Sequence, residues 1–126
     1  MSFLRSRLLS TATAAYGVYA LTEPRHLGAV LTSDPAGQES YDGLARTYGA
    51  RDLAVAAFGI LGRSPKTVTA AMLMRVAMDL SDAAILSREA KDNAARAKVL
   101  GVTVGWAALN AVALVKDRRG RAPKEA

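Results

Sequence analysis

The sequence has no cysteine, one histidine and few aromatic residues. Each shortage excludes something. Without cysteine there is no disulfide framework, thiol nucleophile or thiolate metal site. A lone His26 leaves histidine-based metal chemistry without its ligands. Two phenylalanines, four tyrosines and one tryptophan in 126 residues are too few for a core built on large rings. Strand-like alternation of apolar and polar residues is also missing, so the expected class is all-α.

Small apolar residues are plentiful: 51% of the chain is hydrophobic, with alanine, glycine, valine and leucine dominating. That mixture suits helices that approach closely, as membrane helices do. The net charge is +6, but the basic residues sit at segment ends and form no continuous face. Membrane topology therefore explains them better than nucleic acid, and no nucleic-acid partner is expected.

Four segments are apolar and long enough to span a bilayer, which takes about 20 residues. They cover roughly residues 4–21, 43–61, 65–86 and 97–115. Pro24 stops the first, and Gly62 reads as the C-terminal glycine of the second. Ser64 and Pro65 open the third as cap and first helical residue. Arg5 and Arg7 before an apolar run also fit a secretory leader, but Tyr19 and Glu23-Pro24 read better as the end of a retained helix. The expected architecture is a four-helix transmembrane bundle over residues 1–116, with a basic tail at 117–126. A soluble four-helix bundle is the rival. It would need charged outer faces, whereas Leu8–Thr22, Leu53–Gly62 and Val99–Val115 carry no charge on any side.

The N-terminal segment, the Arg63–Lys66 turn and the C-terminal tail together hold nine lysines and arginines, against five in the other two connections. Positive residues gather on the cytoplasmic side. Both termini are therefore expected in the cytoplasm, in the cell membrane, and the tail is expected to meet anionic lipid headgroups.

The second span carries Arg46, Arg51 and Asp52, and the third carries Arg75, Asp79 and Asp82. Each charge within a bilayer costs about 2.5–3.5 kcal/mol on the insertion scale, so such residues face protein or a wet cavity. Arg75, Asp79 and Asp82 fall within about 60° on a helical projection and form one stripe. Counted from the Arg63–Ser64 turn, Asp52 and Arg75 both lie about 16 Å deep. The same count brings Tyr48 level with Asp79 and Arg46 level with Asp82, with Arg51 about a turn from Asp79. Three aspartates then face two central arginines, Arg51 and Arg75. One carboxyl is expected to keep its proton at neutral pH.

That arrangement points to acid–base chemistry without a cofactor. Asp52 and Asp79 are the candidate catalytic pair, and Arg75 is the bridge. Tyr48, Arg51, Asp82, Trp106, Asn110, Tyr16 and Tyr19 are candidate substrate-binding residues. The expected function is a membrane-embedded enzyme or binding protein for a lipophilic small molecule, acting in epoxide opening, cyclisation or isomerisation. Two alternatives remain: a structural or accessory subunit whose charges only fix packing, and a proton-linked transporter acting as a homodimer. The connection from Thr22 to Asp42 is long enough to form a lid, and Leu27–Leu31 is its apolar part. His26 reads as a satisfied surface histidine.

The stretch Arg46 to Leu53 (RTYGARDL), followed by Arg75, Asp79, Asp82 and a Gly/Ala-rich last span, carries a resemblance. The chain resembles small four-span membrane proteins of a domain-of-unknown-function family, loosely DoxX-like, over residues 43 to 115. The resemblance implies the four-span fold. It implies no established reaction and assigns no residue a role.

Overall fold

In a computed structural model, residues 3–125 are described, with side chains for residues 3–120. The described residues form six helices: α1 (Leu4–Thr22), α2 (Arg25–Leu31), α3 (Pro35–Ser40), α4 (Asp42–Leu61), α5 (Pro65–Glu89) and α6 (Asn93–Glu125). The four long helices coincide with the four expected spans. α6 does not stop at Lys116, and the expected tail continues the helix.

Local chemistry sets the helix ends. The Ser64 hydroxyl accepts the Thr67 N–H at 3.1 Å, with Pro65 in the first turn. Asp34 does the same for α3 through Gly37 N–H at 3.0 Å. Gly62 ends α4 without the left-handed turn its type suggested: its φ is −57°. A side chain is excluded there instead because a Cβ would lie 2.5 Å from the Phe58 carbonyl oxygen.

The long helices run up and down. At the lower end Asp117 accepts Ser6 N–H at 2.7 Å and pairs with Arg5 at 3.3 Å, capping α1 from α6. Arg7 donates to the free carbonyls of Ile60 and Gly62 at the end of α4. Both described chain ends and the α4–α5 turn therefore share one end. Above them Phe3, Val68, Met72, Ala113 and Leu114 form an apolar plug. α1 crosses α4 at two facing glycines. A Cβ on Gly17 would lie 2.9 Å from the Gly49 carbonyl oxygen, and one on Gly49 would lie 2.8 Å from that of Gly17.

The expected lid has regular structure. α2 lays Leu27 and Leu31 across the upper end, in one cluster with Tyr48, Leu86 and Val99. It is tied down by Lys91 N–H donating to the Leu31 carbonyl at 3.0 Å. Arg25 reaches Asp42 on both carboxylate oxygens at 3.0 Å, a hydrogen-bonded pairing that holds this carboxyl below its ordinary range. Tyr41, raised by burial and then by its 2.8 Å hydrogen bond to Glu89, completes the seam.

Beside its apolar core the bundle buries several polar and charged side chains and turns large apolar ones outward. Leu8, Phe58 and Val102 are 60%, 62% and 67% exposed, and Leu73, Leu80 and Val112 also point outward. Ser6, Asp52, Arg75, Asp79, Asp82 and Asn110 are buried. Among the described residues one helix, Asn93–Gly120, is long and apolar enough to cross a membrane by length and composition. The other three long helices do not reach that measure.

Candidate functional site

Because α4 and α5 are antiparallel about a short turn, residues equally far from it meet. Asp52 and Arg75 do so. Arg75 Nη1 donates to Asp52 Oδ1 at 2.5 Å, and Nη2 donates to Asp79 Oδ1, one turn along α5, at 2.8 Å. All three side chains are buried.

The rest of the counted register shifts by one arginine. Asp82 is held by Arg51, through Nη2 at 2.6 Å and Nη1 at 3.0 Å, while Arg46 is exposed. Helical side chains lean toward their own N-terminus. Arg51 on descending α4 therefore reaches upward, and Asp82 on ascending α5 reaches down to it. Arg51 also touches Asp52 at 3.3 Å and stacks 4.5 Å above the Tyr48 ring. Asp82 has both oxygens engaged by Arg51. The bonds to Asp52 converge on Oδ1, leaving Oδ2 outside them. Asp79 Oδ2, Arg75 Nε and the Tyr48 hydroxyl are buried without a partner among the described residues. Of the three carboxyls Asp79 has the fewest partners, one arginine and one unused oxygen.

These groups form the floor of a cavity of about 370 Å³. Its walls are apolar: Ala12 from α1, Leu27 and Val30 from α2, Leu86 from α5, and Val99 and Val102 from α6. Trp106 Nε1 donates to Thr13 Oγ1 at 3.1 Å, joining α1 to α6 in the cavity wall. Higher up, Tyr16 and Val102 line the cavity and are exposed, so it reaches the surface between α1 and α6. None of the plug residues lines the cavity.

Of the expected site residues, Asp52, Asp79, Arg75, Tyr48, Asp82, Trp106 and Tyr16 line this space. Arg51 stands one bond behind, through Asp82. Tyr19 is outside the lining, tilted against His26 with ring centres 4.9 Å apart. Asn110 lies a turn below Trp106 and spends its amide on the Trp106 carbonyl at 2.8 Å. It shares the Trp106 face of the helix, but at the level of the plug.

No protein-family model, curated protein or solved structure matches this chain.

Among the lining residues that sequence reasoning did not assign to the site, His26 and Lys98 are the ionisable ones. His26 bonds the Tyr16 hydroxyl through Nε2 at 2.8 Å and the Glu23 carbonyl through Nδ1 at 2.7 Å. A carbonyl only accepts, so Nδ1 carries the proton, and in neutral His26 Nε2 accepts from Tyr16. The contact spans the Pro24 bend between α1 and α2, where helical spacing gives no signal. Lys98 sits beside the buried Val99, and its spacing alone reads as a solvated helix end.

Proposed function

We propose that this is a four-span membrane protein with both termini in the cytoplasm that binds a lipophilic small molecule and transforms it by acid–base chemistry. The outward apolar residues on all four long helices support the membrane reading. The concentration of lysine and arginine at the end that holds both described chain ends supports the orientation.

One observation carries the chemistry: two buried carboxyls, each bound to Arg75 through one oxygen, line a cavity whose walls are apolar. Asp79, the less compensated, is the acid, and Asp52, flanked by two guanidiniums, is the base. Arg75 sets the spacing between them. In an epoxide opening or cyclisation, Asp52 takes the proton of a water or hydroxyl as its oxygen bonds to carbon. The ring carbon–oxygen bond breaks, and the Asp79 proton goes to the departing oxygen. No electron acceptor is needed. Tyr48, with its free hydroxyl, orients the reacting oxygen.

The test compares wild type, Asp79→Asn and Asp52→Asn in nanodiscs incubated with a panel of lipophilic epoxides and unsaturated alcohols, with products read by mass spectrometry. Both variants are expected to stay folded and lose about 10²–10⁴-fold in turnover. Turnover equal to wild type refutes the catalytic roles. A second reading, a structural subunit, is favoured by the ion pairs that bridge α4 and α5. It is the answer if both variants unfold and wild type converts nothing in the panel.

A further inference from the structure

Polar groups meet the cavity in two places, with satisfied side chains between them. On the walls, Thr13 donates to the Leu9 carbonyl and receives Trp106, and Thr103 donates to the Val99 carbonyl at 2.8 Å. They have little to offer a ligand. The floor is the Asp52–Arg75–Asp79 set with Asp82 and Tyr48, and the rim is Tyr16, His26 and Lys98.

The two places differ in charge. With three aspartates against Arg51 and Arg75, the fully ionised floor sums to −1. An anion brought there meets three carboxyls. At the rim Tyr16 and His26 satisfy each other, whereas Lys98 has no hydrogen bond or ion pair among the described residues. The Lys98 ammonium is the rim's unspent charge.

Their separation follows from the packing. Because α5 ends at Glu89 and α6 begins at Asn93, counting both ways from that connection puts Lys98 level with Ala84 on α5. Asp79 lies five residues nearer the α4–α5 turn, about 8 Å deeper along the backbone, and because the two side chains lean in opposite directions the charged groups stand about 10 Å apart. A volume of about 370 Å³ is near the low end for small-molecule pockets and suits one chain.

Resting on the binding function proposed above, we propose that the ligand is a single-chain amphiphilic carboxylate. Its carboxylate lies at Lys98, its apolar chain runs along the walls, and a neutral oxygen function (hydroxyl, epoxide or carbonyl) sits about 10 Å away between Asp52 and Asp79. The complementarity is electrostatic: the anion meets the cation at the rim, and the oxygen that accepts a proton meets the acid at the floor. An ordinary interfacial lysine, with its stem on the helix and its head in water, is the competing account of Lys98.

Binding in nanodiscs of zwitterionic lipid separates the accounts, using 10-hydroxydecanoate, its methyl ester and decanoate. The hydroxy acid is expected to bind best. Lys98→Gln should weaken it about three- to tenfold, leave the ester unchanged, and be rescued by Lys98→Arg. Ester and acid binding alike, or Lys98→Gln weakening both alike, overturns the rim assignment while the floor reading stands. Decanoate matching the hydroxy acid in wild type, with Lys98→Gln still selective for acids, refutes the deep oxygen site and leaves the anion site in place. Failure of all three probes to bind wild type refutes the binding reading of the cavity, and the ligand class falls with it.

Discussion

Truncating either member of the Arg51–Asp82 pair should destabilise the protein unequally, and the inequality can be worked from burial. The Asp82 side chain is 9% exposed and receives two hydrogen bonds from Arg51, at 2.6 and 3.0 Å. Replacing Arg51 by Gln strands that carboxylate, a change that costs about 3–5 kcal/mol for a buried charge. Arg51 is 26% exposed and has a second partner in Asp52 at 3.3 Å. Asp82→Asn thus leaves a cation with somewhere to go, for about 1–2 kcal/mol. The double variant replaces two charges by two amides able to bond one another, so its loss should fall short of the sum by about 1.5–3 kcal/mol. Reversible unfolding in bicelles, followed by steric trapping, measures all four corners of the cycle. Additivity within about 0.5 kcal/mol would refute the pairing, and an Asp82→Asn loss equal to that of Arg51→Gln would refute the burial argument.

The cap over the cavity gives two further expectations. Gly28 lies against the backbone of Gln38, so Gly28→Ala forces α2 and α3 apart at a cost of about 1–3 kcal/mol. Amide exchange should quicken in α2 and stay slow in α5; unchanged α2 protection contradicts the contact. Because Asp42 is held below its unfolded value by Arg25, its contribution to docking α2 is complete above the ordinary carboxylate range. That contribution is lost as pH falls through the lowered value. Spin labels at Ala29 and Thr47 should show a distance distribution that broadens on acidification. Asp42→Asn should broaden it already at neutral pH and remove the acid-dependent step.

Much of the helical frame was legible because its signals are local. Pro24, Ser64-Pro65 and the uncharged stretches fix where helices begin and end, and a short turn converts residue counts into depth. The Asp52–Arg75 contact follows from that count alone. The same arithmetic misassigned Asp82 to Arg46 because it compares backbone levels and ignores the direction in which long side chains lean. His26 and Lys98 were invisible for another reason: their roles come from a bend and a cavity rim, neither of which has a period. Asn110 was placed on the correct face of its helix, but face says nothing about height, and α6 passes both cavity and plug.

On the proposed membrane reading, a cavity with an apolar plug of Phe3, Met72 and Leu114 beneath it and α2 above it would be entered at the doorway beside Tyr16 and Val102. Substrate and product of the proposed reaction would then share that doorway. Product accumulating in the bilayer should therefore inhibit competitively, and the rate at high substrate should follow the pace of exchange at that doorway.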